Sequence, residues 1–405
     1  MIDVSWNQTL KQWVHHAKGH EIVWGANNEK VPFSPAPPRS STFPLRNTAK
    51  MKAGPVIGIL SSKKTGLPFV GNLETYQRLS TFVHSQGGLV FIFTINDCHK
   101  DSIKGFVYDL STNRWINARF PIPDFVYNRI AYQIDELNPN YHSFLHAISN
   151  HSIPFFNSGF FSKWKTHCIL KEQSQLAAYL PETKLITSID DVQNFLNAYG
   201  KIIIKPTSSS QGKGIFSLMK KKNNQVLFFS NTKHCTYENL EKLSVNHCLT
   251  STQHLMQPLI SRIRYKGYPY DFRVLMQKVA DEWTMTGIGV RCAGYGKLTT
   301  HVPEGGRILS IEDVQVDTDV VKQIATNVGL SLDKACPPVG EFSMDLGLDC
   351  SSHYWIFEVN SKPMVFDEPH IQTKATRQFY RQALLLTGFD ASDIFTTSIS
   401  HTIKE

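Results

Sequence analysis

From Gly54 onward, short apolar runs alternate with amphipathic stretches. "GPVIGIL" (Gly54 to Leu60) is an unbroken apolar run of strand length, rich in β-branched residues. "ETYQRLSTFVHSQGG" follows it, with Tyr76, Leu79, Phe82 and Val83 on one helical face and Gly87-Gly88 as a stop. "LVFIF" (Leu89 to Phe93) is a second buried strand. Strand, helix and strand at this spacing predict a right-handed crossover and a parallel sheet. "DFVYNR" and "IPFFN" predict two further strands with helical sequence between them. A helix is expected from "SKWKTHCIL" to Pro181, and another over Ser188 to Lys201, with Ser188 as N-cap and Gly200 near the stop. From Gln257 the pattern turns to strands, in "DFRVLMQKV", "WTMTGIGVRCAG" and "EFSMDLGLDCSSHYWIFEVN", with helices expected near 313–329 and 371–386. Before Gly54 the pattern is weaker. The prolines and serines of "VPFSPAPPRSSTFP" predict a linker there.

The stretch "IIIKPTSSSQGKGI" (Ile202 to Ile215) drives a lysine to the end of a buried strand and follows it with a loop of serines and glycines. A phosphate loop of the GxxxxGK[ST] kind needs a helix directly after it, because that helix's amides complete the phosphate nest. Here the lysine comes first and "IFSLM" after the loop is strand-like. Two readings stand: a solvated surface hairpin, or a flap whose amides and hydroxyls close over phosphate oxygens while Lys205 faces the same anion.

In the last hairpin, Glu358 and Asn360 share one face of an apolar strand. Asp345 would oppose Glu358 if the turn centres between Ser351 and Ser352, inside polar "DCSSH". Asp345, Glu358 and Asn360 then form an oxygen-only set suited to Mg²⁺ carried on phosphates; the competing reading is a solvated polar face. Arg273 and Arg291 lie on strands between flap and hairpin. Each is either a salt-bridge partner or a fork for phosphate or carboxylate.

Composition narrows the picture. With 405 residues the chain exceeds one ordinary core. Its formal charge of +8 favours anionic partners. Lys220 to Lys222 is the tightest lysine run and no aromatic–basic alternation accompanies it, so nucleic acid is disfavoured. The seven cysteines form no CxxC pair, which suggests reduced thiols rather than a disulfide framework or zinc site. No apolar leader or membrane-length run stands out, so a cytoplasmic location is expected.

Taken in order, these motifs resemble the ATP-grasp superfamily, and within it the YheC/YheD-like family of endospore coat-associated proteins. "FFSKW" with "LPET", "IIIKPTSSSQGKGI", "MQPLI", "YPYDFRVLMQK", "WTMTGIGVR" and "WIFEVNSKP" carry the resemblance, joined by "VYNR" and "IPFFN", over about residues 54 to 390. It implies an α/β (α+β) fold: an N-terminal extension and linker (1–53), a small parallel α/β domain (54–160), a small grasp subdomain with the flap (161–260), a large one with the metal site (261–395) and a tail (396–405). The resemblance implies ATP and Mg²⁺ as cofactors. Lys163, chosen over Lys165 by its spacing to "LPET", and Lys205 would contact the nucleotide. Ser208, Ser209, Ser210, Gly212, Lys213 and Gly214 would form the flap, and Gln257, Leu259 and Ile260 the adenine hinge. Arg273 and Arg291 would act on phosphate, Asp345, Glu358 and Asn360 would bind metal, and Lys362 would point toward the acceptor.

The implied activity is ligation of a small-molecule carboxylate to an amine or thiol through an acyl phosphate, in a protein that could associate with spore coat components. A nucleotide-binding coat scaffold without turnover is the alternative. Two departures bear on that choice. No Asp or Glu occurs between Gln257 and Tyr270 to hold ribose hydroxyls, and His301 stands where the family usually has asparagine.

Overall fold

The computed structural model describes residues 1–35, 41–99, 101–207, 214–247 and 253–395. Four sheets organise these residues.

The first sheet departs from expectation. Residues 2–54, read from the sequence as an extension and linker, supply six strands in the order Gln12–His15, Ile2–Asn7, Thr42–Asn47, Lys52–Gly54, Ile22–Trp24 and Glu29–Val31. Alternation explains them: Ile2, Val4 and Trp6, then Phe43 and Leu45, are buried on one face. Trp13 sits at the centre, with its ring 5.3 Å from Trp24 and 5.5 Å from Phe120. Its indole N–H donates to the carbonyl of Arg119 at 2.7 Å. This sheet is thus fused to the next one through a shared core.

The second sheet matches the crossover prediction. Val56–Ser61 pairs in parallel with Leu89–Thr94 and with Phe125–Asn128, and Phe125–Asn128 with Phe155–Phe156. The helix Leu73–Ser85, capped by Asn72, makes the crossover. A hairpin, Ile103–Asp109 with Arg114–Phe120, extends the far edge.

The third sheet centres on Lys201–Pro206, flanked by His254–Pro258 and Phe216–Lys220. Ile202, Ile204, Phe216, Leu218 and Phe228 pack against Val192, Phe195 and Leu196 of helix Ile189–Tyr199. Period-two alternation turns Lys205, Ser217 and Gln257 to the other face. The fourth sheet runs Arg307–Leu309, Glu282–Cys292, Tyr268–Val279, Glu341–Leu348, Tyr354–Asn360. Phe272, Val274, Met276, Phe342, Met344 and Leu346 bury against Val321, Ile324, Val328 and Leu332 of helix Thr318–Ala335. Arg273, Leu275, Gln277, Glu341 and Asp345 therefore face the opposite way.

On that opposite face lies helix Pro369–Thr387. Ile371 packs with Leu275 of the fourth sheet and with Phe366, which follows its last strand. Phe379, Tyr380 and Leu384 pack with Ile57, Ile59 and Phe125 of the second. One helix thus belongs to two cores. A polar seam runs beside it: Asn157, buried, accepts from the amide of Gly340 at 2.8 Å and donates to the carbonyls of Glu341 (2.7 Å) and Ser361.

Replacing Asn157 with Ala would strand these buried backbone groups. The expected loss is roughly 2–5 kcal/mol of stability, since each orphaned group costs about 1–3 kcal/mol. A urea midpoint equal to that of the unaltered chain would show that the seam does not hold the domains.

Candidate functional site

The face of the fourth sheet opposite helix Thr318–Ala335 places Arg273, Asp345 and Glu358 side by side on three neighbouring strands. Arg273 pairs in register with Asp345, and Asp345 with Glu358. The hairpin achieves this differently from the simple expectation. Its turn is half a residue earlier, with Leu348 opposite Tyr354, and a one-residue bulge at Phe357 restores the Asp345–Glu358 pairing. Asn360, opposite Ser343, lies on the same face.

Each carboxylate has a cation. Arg273 forms a two-pronged bridge to Asp345 (Nε–Oδ1 2.9 Å, Nη2–Oδ2 3.3 Å), and the Asp345 charge raises its pKa further. Lys163, at the first turn of helix Lys163–Lys171, reaches Glu358 Oε1 at 2.8 Å. Lys165, its alternative, is exposed.

Lys205 enters from the facing sheet. It is buried, and its ammonium lies 3.4 Å from the carbonyl of Phe357, next to Glu358. Burial lowers its pKa to about 8, against the opposing pull of Glu358. Two regions about 150 positions apart therefore meet at one place. The cluster holds three cations, Lys163, Lys205 and Arg273, against two carboxylates, a balance that favours an added anion.

Ser208, Ser209, Ser210, Gly212 and Lys213 lie outside the described residues. Gly214 adopts φ +74°, a left-handed geometry where a Cβ would also sit 2.9 Å from Pro206 Cγ. Gln257 is buried, and its amide donates to Thr183 Oγ1 at 2.9 Å. Leu259 and Ile260 line a cavity of about 1230 Å³ with Lys201, Phe229, Arg262 and Tyr270. Asp313 and Gln315 enter the same cavity from a distant loop. An acid thus lines the cavity beside Leu259 and Ile260, from a segment outside Gln257 to Tyr270.

Two residues stand apart from the cluster's ion pairs. Arg291, 3% exposed, is held by Glu368 (Nη1–Oε1 2.5 Å, Nη2–Oε2 3.1 Å), with Asp367 at 3.4 Å. Its guanidinium folds over Gly289, which pairs with Arg273; a Cβ on Gly289 would lie 2.7 Å from Arg291 Nη1 and 2.6 Å from Glu368 Oε1. Lys362 is drawn into the second-sheet domain. It contacts Glu136 Oε1 (2.5 Å) and the Ile130 carbonyl (3.0 Å), and lies over the Phe160 ring. It is therefore not grouped with the other cations. The acids that hold these two residues gave no pattern in the sequence, because the adjacent Asp367 and Glu368 lie about 75 positions from Arg291, and Glu136 lies about 225 from Lys362.

Among the described residues no three His, Cys, Asp or Glu side chains converge as a preformed metal cage. Asp345, Glu358 and Asn360 offer hard oxygen donors on one rigid face. That set fits Mg²⁺, which keeps water and phosphate oxygens and needs only one or two protein carboxylates.

A sheet carrying Lys205 that faces a carboxylate-bearing sheet, with cations gathered between them, is the arrangement of an ATP-grasp fold. VanG D-Ala:D-Ser ligase from Enterococcus faecalis superposes with a TM-score of 0.50 at 13% identity, covering 82% of this chain and 99% of that one. D-cycloserine synthetase DcsG gives 0.51 at 12%, covering 80% and 99%. At these identities the likeness concerns the fold alone. The description "YheC/D like ATP-grasp" matches residues 152–386, more than half the chain, and the chain belongs to that family. Two proteins of Bacillus subtilis (strain 168) are similar to it. The endospore coat-associated protein YheD is 27% identical over 379 residues (87% of this chain, 83% of YheD), and YheC is 27% identical over 298 (68% and 81%). No described helix is long and apolar enough to cross a membrane.

Lys205 yields a prediction with a definite sign. Its pKa in the folded chain, about 8, lies below the ordinary lysine value of 10.5, so the unfolded chain holds the extra proton between those pH values. The penalty on folding is complete below pH 8 and fades as pH rises toward 10.5. Lys205→Met is therefore expected to melt higher than the unaltered chain at pH 7, by a margin that shrinks above pH 8. A lower melting temperature at pH 7 would show that the ammonium stabilises the free protein.

Proposed function

We propose that the chain is an ATP- and Mg²⁺-dependent ligase that joins a small-molecule carboxylate to an amine or thiol. The observation that carries this reading is the meeting of Lys205 with the Asp345–Glu358 hairpin across two sheets. In this reading Lys163 and Lys205 hold phosphate oxygens, the Leu259–Ile260 backbone borders the base, and the flap containing Ser208 to Gly214 covers the triphosphate. Asp345, Glu358 and Asn360 would hold Mg²⁺, which when bound neutralises phosphate charge.

The substrate carboxylate attacks the γ-phosphorus, the bond to the β-phosphate oxygen breaks, and ADP leaves. The amine or thiol then attacks the acyl carbon, inorganic phosphate departs with the electron pair, and the nucleophile gives up its proton. Arg273 lies beside the reacting phosphoryl group and offers donors as charge shifts. Arg291 can join only by exchanging Glu368 for an incoming anion. Burial of Lys205 between the sheets fits a site that excludes water from an acyl phosphate.

The Arg291–Glu368 pair favours a second reading. A chain in which Glu368 keeps that arginine permanently would bind nucleotide without turnover and serve as a scaffold. The names of YheD and YheC motivate a further proposal, that a protein acting from the cytoplasm reaches the spore coat.

Incubation with Mg-ATP and pooled carboxylic acids and amines is expected to yield ADP and phosphate. Asp345→Asn and Glu358→Gln are expected to cut this by at least about a hundredfold while remaining folded. Full activity in both variants would remove the metal assignment. Nucleotide binding without turnover in every pool would favour the scaffold, and ADP without free phosphate would indicate phosphorylation of a small molecule.

A further inference from the structure

The cavity of about 1230 Å³ beside Leu259 and Ile260 is lined by none of Lys163, Lys205, Arg273, Asp345 and Glu358. It opens at the other end of the Lys205 strand, where Lys201 lines it, about 13 Å away at the usual rise per residue. Its walls come from the hairpin that joins Arg264–Tyr265 to Tyr268–Val279 and from the loop Gly294 to Leu298.

The lining is basic. Among the described residues five cations, Lys201, Arg262, Arg264, Lys266 and Lys297, stand against one acid, Asp313. Two of the five are answered from within: Arg262 pairs with Asp271 at 2.7 Å, and Lys297 donates to the Asn231 carbonyl at 3.0 Å. Lys201, Arg264 and Lys266 are exposed, and none of the ion pairs among the described residues includes them. The amide of Lys220 donates to the Gly200 carbonyl at 3.0 Å, which places the start of the Lys220–Lys222 run beside Lys201 and carries positive charge outward from the mouth.

Tyrosines stand among these cations. Tyr265 and Tyr268 line the cavity, and Tyr295, between two glycines, is 89% exposed at its rim. Tyrosine and arginine together are typical of surfaces that bind other proteins. The rings are poorly placed to stack on bases. Lys266 lies 5.1 Å from the Tyr265 ring centroid and Arg307 lies 4.9 Å from that of Tyr268, so a cation covers one face of each. A nucleobase competes with a cation for a ring face, whereas a carboxylate is drawn to the cation itself. Arg307 also begins Arg307–Leu309, the end strand of the fourth sheet, which pairs on one side only among the described strands. Such an edge offers backbone amides and carbonyls to an extended polypeptide.

We propose that this cavity is a docking surface for an acidic polypeptide segment. Its carboxylates meet Lys201, Arg264 and Lys266, and its remaining side chains pack on Tyr265, Tyr268 and Tyr295. The assignment goes beyond the ligase reading and does not depend on it.

Fluorescence anisotropy of the full chain without nucleotide tests this. The probes are a labelled peptide alternating glutamate with leucine and glycine, the same peptide with glutamine for glutamate, and an oligo-dT of equal charge. The glutamate peptide is expected to bind most tightly and to lose affinity as salt rises. Arg264→Glu combined with Lys266→Glu is expected to weaken it at least about tenfold, and Tyr295→Ala about fivefold, with melting temperatures unchanged. Lys104→Glu with Arg114→Glu, an equal charge change on an exposed hairpin of the second sheet, is expected to stay within about twofold. No binding of the glutamate peptide, equal binding of the glutamine peptide, tighter binding of oligo-dT, or equal weakening by the Lys104 and Arg114 changes would overturn the assignment. If the double reversal at Arg264 and Lys266 unfolds the chain, Tyr295→Ala decides, and unchanged affinity there would overturn it.

Discussion

Cross-strand registration of Arg273, Asp345 and Glu358 is the constraint on which the rest depends. Three strands hold three charged side chains on one face because their other face is buried against helix Thr318–Ala335. A slip of one residue would bury charge and expose Phe272, Val274 and Met344, so the core fixes the position of the chemistry. The bulge at Phe357 completes the arrangement. It moves Glu358 opposite Asp345 and leaves the Phe357 carbonyl toward Lys205.

Charge balance follows from the same geometry. Arg273 answers Asp345, Lys163 answers Glu358 and Arg291 answers Glu368. Partly buried pairs of this kind contribute little net stability but cost several kcal/mol when one partner is lost. An incoming polyanion with its metal can therefore exchange partners within the cluster without leaving a charge stranded. Helix Pro369–Thr387 extends this to the larger scale. Glu368 precedes its first turn, while Phe379 and Tyr380 lie in the core of the second sheet. The group that holds Arg291 is thus covalently tied to the element that joins the domains.

The large features of this fold were legible in the sequence because they rest on local periodicity. The parallel crossover of residues 56–94 and the strand carrying Lys205 follow from alternation, whereas the opposition of Asp345 to Glu358, expected from a turn between Ser351 and Ser352, is reached through the bulge at Phe357. The first sheet escaped notice because its strands are short and Pro44 and the serines around it resemble a linker. Yet Ile2, Val4, Trp6, Phe43 and Leu45 carried the period-two signal. Ionic partners were harder to read. Arg291 and Lys362 looked like ligand contacts, but Glu368 and Glu136 reach them through tertiary packing, which no spacing rule encodes. Asp313 comes to line the cavity with Leu259 and Ile260 in the same way.

Determining the structure of the chain with Mg-AMPPNP tests the central claim most directly. The account predicts one triphosphate lying between the Lys205 ammonium and the Asp345–Glu358 hairpin, with a metal ion on the hairpin side. A nucleotide bound elsewhere, with the Arg273–Asp345 and Lys163–Glu358 pairs undisturbed and no ligand between the two sheets, would contradict it.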